Sequence, residues 1–318
     1  MTAIRVADVS KTFRAGSVRA LDRVSLEIRP GETFGIIGPN GAGKTTLLGC
    51  LLGLLRHDSG EIALDGHPPD DLAVRRQTGY LPERLVLDRW MTGLDFLAYH
   101  HALAELDPAS RATECQAALE RVGLDPSAGR QAIRRYSRGM LQRLGLAQAL
   151  LGTPRFVFLD EPISGVDPAG VMLFRRLLLE LKSTGATVII NSHQLDEVER
   201  LCDRVAFVRG GQVQSIETVS AGAELRRVLA VRWAGGAAGI DQARLAAAAA
   251  QAGAALASVA PPTARFSVAD DAGATRLLQA LLGAGVPIVE AAPEGGRLER
   301  LFESPSGAAG APPAGGTS

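Results

Sequence analysis

Two clusters of residues in this 318-residue chain have the types and spacing for chemistry on a phosphate chain. The first is Gly38-Pro39-Asn40-Gly41-Ala42-Gly43-Lys44-Thr45-Thr46, which fits the P-loop pattern G-x-x-x-x-G-K-T. Glycines in such a loop let successive backbone N–H groups curl around an anion, and a helix that starts there turns its positive dipole end on the same anion. Lys44 would reach the β and γ phosphates, and the Thr45 hydroxyl would ligate Mg²⁺. The only lysines are Lys11, Lys44 and Lys182, in a basic complement otherwise made of arginine. A lysine in the loop fits the need for a compact point charge rather than a planar fork. A glycine-rich turn without a ligand is the plain alternative, and the flanking strand and helix argue against it.

The second cluster is Asp160 and Glu161, which end the apolar run Phe156-Val157-Phe158-Leu159. Four apolar residues followed by two acids describe a buried parallel strand whose carboxyl end carries charge, the end at which open α/β sheets hold ligands. Neighbouring residues on a strand face opposite ways, so the two acids are expected to divide the labour. Asp160 would hold Mg²⁺ through water, and Glu161 would face the attacking water as general base or orienter. An isolated acidic pair is ordinarily a solvated strand end; the phosphate loop upstream favours chemistry. His193 follows another buried run, Thr187 to Ile190, within Asn191-Ser192-His193. It is therefore expected on the same sheet edge as Glu161.

The elements that must position these groups follow from periodicity. Phe34 to Ile37 is a buried strand before the loop, and Leu47, Leu48, Leu51, Leu52 and Leu55 recur at helical spacing after it. Upstream, Ile4 to Val9, Val18 to Leu21 and Val24 to Ile28 alternate as half-buried strands of a small antiparallel sheet. Phe13 lies among them as a core residue or as a platform for an adenine ring. Gly60 to Asp65 and Gly79 to Leu81 give two short strands, the second running into Pro82-Glu83. A helical insertion spans about 87–150. Within it, Tyr136-Ser137-Arg138-Gly139-Met140 precedes a helix from Gln142 to Leu151. Ser137 can cap that helix, and a capped terminus still offers N–H groups to a second phosphate site. Ser164 to Asp167 turns into a helix from Pro168 to Leu181.

From Ala221 the composition shifts to alanine and small residues, and 221–303 reads β-α-β-β-α-β, the ferredoxin-like order, with a short terminal helix from Arg297 to Phe302. The tail 304–318, rich in Gly, Ala and Pro, is expected to be disordered. Balanced charge, 34 basic against 34 acidic residues, argues against a general nucleic-acid or anionic-membrane binder. Cys50, Cys115 and Cys202 are odd in number and far apart, as free thiols of a reducing compartment are. His57, His67, His100 and His101 show no metal-ligand spacing. No signal peptide opens the chain and no run reaches 18 apolar residues, so a membrane role is expected to come through a partner.

Taken together, the motifs resemble those of the ATP-binding subunit of an ABC transporter. Gly38 to Thr46 is similar to the Walker A loop, Phe156 to Glu161 to the Walker B strand, and Tyr136 to Met140 to the signature. Ser164 to Asp167 is similar to the D-loop, and His193 to the switch histidine. The resemblance covers 1 to about 220 and implies a P-loop NTPase core of the ABC ATPase kind, with an antiparallel β subdomain and a helical insertion. It also implies ATP and Mg²⁺ as cofactors and Phe13 as the adenine platform. Arg138 and Met140 depart from the usual Leu-Ser-Gly-Gly-Gln signature, and Glu83 stands where the Q-loop glutamine is usual. The Tyr-Ser-Arg-Gly-Met form, with Leu81-Pro82-Glu83, is similar to the ABC-2-type exporter subfamily, as is Leu298-Glu299-Arg300-Leu301-Phe302 to its terminal element.

The resemblance further implies that two copies clamp two ATP molecules head to tail. Ser137, Gly139 and Asp167 would then serve with Lys44, Thr45, Asp160, Glu161 and His193. A transmembrane permease would be a partner, docked near Glu83 to Leu94, and the protein would sit peripherally on the cytoplasmic face of the inner membrane. Leu85, Leu87, Trp90 and Met91 there form either an apolar notch for a partner helix or ordinary core. Three other readings stand beside this one: an importer subunit, a soluble ABC ATPase acting on nucleic acid or ribosomes, and a P-loop kinase or GTPase, in which the signature helix and His193 have no place. The second expects a long coiled coil or two ATPase halves, neither of which is in the sequence.

Overall fold

The computed structural model describes residues 2–13, 16–85, 87–164, 166–219, 227–234 and 240–294. The chain divides into two compact units, 1–221 and 222–318. The first begins with β1 (Ile4–Phe13), β2 (Val18–Ile28) and β3 (Thr33–Ile37), which leads into α1 (Lys44–Leu51). Next come β4 (Ser59–Leu64), α2 (Leu72–Arg76) and β5 (Thr78–Leu81). Helices α3 (Gly93–Leu103), α4 (Arg111–Arg121), α5 (Pro126–Gly129) and α6 (Arg138–Ala149) form the insertion. After it run β6 (Phe156–Asp160), α7 (Pro168–Ser183), β7 (Thr187–Asn191), α8 (Leu195–Leu201), β8 (Arg204–Arg209) and β9 (Gln212–Thr218).

The main sheet has the strand order β5-β6-β7-β3-β8-β9, parallel except for the antiparallel edge strand β9. Its central strands β3, β6 and β7 are buried at every residue, as continuous apolar runs in a sheet covered on both faces must be. Because β6, β7 and β3 are neighbours, the P-loop, the acids and His193 leave the sheet side by side at its carboxyl edge.

A second sheet, β2-β1-β4, is antiparallel. One departure from the sequence reading occurs here. The segments expected as separate strands, Val18–Leu21 and Val24–Ile28, are one strand. Their break in alternation, buried Leu21 then buried Val24, is absorbed by a pairing irregularity opposite β1, with Arg23 at φ +48°. Strand β4, which follows the P-loop helix, pairs with β1, where Ile62 and Leu64 join the apolar core beneath that sheet.

In the second unit, β10 (Arg227–Trp233), α9 (Gln242–Gln251), β11 (Ala255–Ala260), β12 (Thr263–Val268), α10 (Asp271–Gly283) and β13 (Ile288–Glu294) give an antiparallel sheet of order β11-β12-β10-β13. This is the split β-α-β arrangement, with each helix joining two strands that have a third between them. Trp233, Leu245, Phe266, Leu277 and Leu281 form its core. The element at Leu298 to Phe302 and the tail 304–318 lie outside the described residues. Among the described residues no helix is long and apolar enough to cross a membrane.

Candidate functional site

At two of its glycines the P-loop backbone leaves no room for a side chain. A Cβ on Gly43, which sits at φ +104°, would lie 2.3 Å from the carbonyl oxygen of Ala20, and one on Gly38 would lie 2.1 Å from that of Val208. Gly43 is the N-cap of α1, and no side chain caps this terminus. The first-turn N–H groups are thus left for an anion, whereas the N-cap side chains Ser137 of α6 and Asp167 of α7 each accept from their own helix. Lys44 is buried and its Nζ donates to the carbonyls of Gly38 at 2.8 Å and Pro39 at 3.1 Å, so the ammonium lies across its own loop. Burial lowers its pKa, against the opposing pull of the Glu161 and Asp160 charges. Thr45 is exposed on the first turn of α1.

Asp160 is 3 % exposed and accepts from Asn191 Nδ2 at 2.6 Å. Burial raises its pKa, the Asn191 hydrogen bond lowers it, and the charges of Glu83 and Glu161 add to the rise. The expectation that strand alternation separates the two acids needs correction. Strand β6 ends at Asp160, and Glu161 is turned aside by a left-handed backbone at φ +49°. Its N–H donates to Asn191 O at 2.8 Å, which pins the turn to β7. Glu161 Oε1 accepts from His193 N at 3.1 Å and lies 2.8 Å from His193 Nδ1, while Ser192 Oγ is 3.4 Å from Oε2. A carboxylate in that place makes Nδ1 the protonated ring nitrogen.

The three residues at the end of β7 therefore serve the two acids: Asn191 holds Asp160, and Ser192 and His193 hold Glu161. Of these the sequence reading singled out only His193. Asn191 and Ser192 carry no motif; their signal was position, next to His193 at the end of an apolar run. Among the described residues no group of three or more His, Cys, Asp or Glu could hold a metal ion. Mg²⁺ takes one or two protein oxygens and completes its shell with water and phosphate. Thr45 and Asp160, the residues expected to hold it, carry oxygens of that kind.

The helix after the signature starts earlier than expected, at Arg138 rather than Gln142. Ser137 is its N-cap and accepts from Met140 N at 3.2 Å, so Gly139 and Met140 belong to the first turn. Tyr136 is buried and donates through its hydroxyl to Ala128 O at 2.6 Å, but Ser137 and Arg138 are exposed and a Cβ on Gly139 would meet nothing within 4 Å. Arg138 Nη2 and Gln142 Nε2 reach Ser164 O and Pro162 O at 3.4 and 3.0 Å, tying this helix to the turn after the acids. Asp167 is exposed and accepts from Gly170 N at 2.7 Å as the cap of α7.

Phe13, 37 % exposed at the end of β1, is not a core residue; the Lys11 ammonium sits 5.6 Å from its ring centroid. Glu83 is exposed, and its charge acts on both Asp160 and Tyr80. Trp90 is 75 % exposed beneath the Arg134 guanidinium, while Leu85 packs on Gly145 of α6. Of the residues read as either an apolar notch or ordinary core, Leu85 is thus packed and Trp90 open.

The family model described as ABC transporter matches residues 21–164. An uncharacterized ABC transporter ATP-binding protein of Nostoc sp. (strain PCC 7120) is 43% identical over 216 residues, 66% of this chain and 64% of that protein. The chain thus spans less than two thirds of that relative. The daunorubicin resistance ATP-binding protein DrrA3 of Streptomyces coeruleorubidus is 38% identical over 217 residues, 67% of each chain. Among solved structures, the dimeric structure of MJ0796, a bacterial ABC transporter cassette, aligns with a TM-score of 0.64 at 25% identity, covering 68% of this chain and 98% of the other.

Proposed function

The chain belongs to the ABC transporter family of ATP-binding proteins, and we propose that it is the ATP-hydrolysing subunit of an ABC-2-type exporter. It works as a head-to-tail pair with a second copy and moves a separate transmembrane permease from the cytoplasmic face of the inner membrane. One observation carries the pairing. The start of α6, with its exposed cap Ser137 and half-buried Gly139, belongs to a helix packed on β5, whereas the P-loop follows β3, three positions along the sheet. Two termini suited to phosphate oxygens are thus built on separate parts of one chain, and a neighbour's α6 can close over the loop.

In this reading the backbone N–H groups of Gly41 to Thr46 bind the phosphate chain, and Lys44 shifts its ammonium from the Gly38 and Pro39 carbonyls to the β and γ phosphates. Thr45 and Asp160 would hold Mg²⁺, which would supply neutralisation of the phosphate charge. Glu161, oriented by His193, accepts the proton of the attacking water. Ser137 and Gly139 of the second copy add donors at the γ-phosphate, so turnover requires closure. The Tyr136 to Met140 motif and the likeness to the daunorubicin resistance protein support export.

The test is the ATPase rate of the purified chain against its concentration, with the co-purifying membrane protein identified. A specific activity that rises with concentration, and a permease without a solute-binding partner, are expected. Full activity in a strictly monomeric preparation overturns the pairing, and a solute-binding partner or a ribosome in the complex overturns export.

A further inference from the structure

Asn191 is 2 % exposed at the end of β7. Its Nδ2 donates to Asp160 Oδ1 at 2.6 Å, and its main-chain carbonyl accepts from Glu161 N at 2.8 Å. The amide can stand only one way round, because the reverse would press its oxygen against the carboxylate with no proton between them. Oδ1, on the other arm of the same planar group, is buried and has no hydrogen-bond partner among the described residues. Native interiors seldom keep such an atom without a use for it.

We propose that Asn191 is a positioning residue for the metal centre, holding Asp160 through Nδ2 and offering Oδ1 to a water molecule in the shell of bound Mg²⁺. This deepens the Mg·ATP reading given above and rests on it. A residue needed only to satisfy Asp160 requires a donor and nothing else. The amide brings an acceptor as well, and that acceptor is the unused atom. Magnesium retains several of its waters, so a buried acceptor one shell out is the kind of partner its site takes. Ser192 and His193, the next two residues, are engaged with Glu161, which leaves Asn191 as the strand-end side chain that serves Asp160.

The experiment uses the full chain, in excess over a non-hydrolysable ATP analogue, titrated with Mn²⁺ as a spectroscopic stand-in for Mg²⁺. The free-metal signal in electron paramagnetic resonance gives the half-saturating concentration. Asn191→Leu, close in shape and without polar atoms, is expected to raise that concentration about 10- to 100-fold. Its affinity for the analogue in EDTA should stay within about twofold of wild type, since the P-loop is untouched. Asn191→Ser, whose hydroxyl sits one bond nearer the backbone, is the second variant should Leu not fold, and the same rise is expected. Wild-type metal dependence in a folded variant overturns the proposal, as does an equal loss of metal-free nucleotide binding. Failure of both variants to fold assigns Asn191 to the scaffold and likewise overturns it. A wild-type chain that binds the analogue without any metal dependence sinks the Mg·ATP reading itself, a result distinct from the others.

Discussion

Glu161 Oε1 accepts the backbone N–H of His193 at 3.1 Å and faces its Nδ1 at 2.8 Å, so one carboxylate oxygen is held by two donors of a single residue. The left-handed turn at Glu161 carries the carboxylate off the strand toward β7. Such a backbone costs a non-glycine residue roughly 1–2 kcal/mol, and the bond from Glu161 N to Asn191 O secures it. The base is thus positioned by its neighbour strand as much as by its own.

Glu161→Gln removes the basic oxygen while keeping the shape and an acceptor for His193. Turnover should fall about 10²- to 10⁴-fold, the usual weight of a general base. Nucleotide affinity should change little, and an ATP-bound dimer should accumulate because closure is no longer followed by hydrolysis. Single-turnover ATPase assays and gel filtration with ATP check this; a normal rate would remove Glu161 from the chemistry.

His193→Ala deletes the ring contact but keeps the backbone one. A hydrogen bond to a charged group is worth about 1.5–3 kcal/mol, and the lower end applies because the histidine side chain is 57% exposed. The expected result is a loss of about tenfold in kcat with an unchanged KM for ATP. A change in KM alone would make His193 a nucleotide contact and leave Glu161 to be oriented by Ser192 and its own backbone.

What could be read from the chain was whatever a short stretch encodes by itself. Gly38 to Thr46 needs its own glycines and the strand before it, and Phe156 to Glu161 its own apolar run, so both stand where their patterns place them. The turn at Glu161 and the role of Asn191 depend on which strand lies beside β6, and that neighbour is 31 residues away in sequence. The start of α6 was misplaced by four residues because Arg138-Gly139-Met140 lacks apolar periodicity, although Ser137 was the correct cap. Phe13, which the residues alone leave between core and adenine platform and the family resemblance assigns to the platform, is too exposed for a core residue.

Asp160→Asn should stabilise the nucleotide-free fold at neutral pH while abolishing Mg²⁺ binding. Burial is the largest influence on Asp160 and raises its pKa above 3.8, so the charged form is the one the fold disfavours. That cost is present above the raised pKa and disappears as pH falls through it and the wild-type carboxyl takes up a proton. The loss of attraction to Lys44 opposes the gain but ranks below burial. The gain at pH 7 is expected as a Tm above that of wild type. Differential scanning fluorimetry from pH 7 downward should show the gap closing as the pH falls; a constant gap would mean that the charge is not its source.

Tyr136→Phe tests how the signature helix is anchored. The Tyr136 hydroxyl donates to Ala128 O at 2.6 Å in a packed place, where a Cβ on Gly93 would come within 2.2 Å of the same oxygen. Burial raises the phenol's pKa above its ordinary 10, so the donor keeps its proton at every pH at which the protein is assayed. Removing it leaves the Ala128 carbonyl unpaired, at a cost of about 1–3 kcal/mol, or roughly 2–12 °C in Tm. The loss should be independent of pH between about 7.5 and 9, roughly one unit inside ordinary histidine and tyrosine titration. Because Tyr136 immediately precedes the Ser137 cap, kcat should fall together with Tm while the isolated P-loop affinity for nucleotide in EDTA stays constant. An unchanged Tm would show that α6 is held instead through Arg138 and Gln142 to the turn after Glu161.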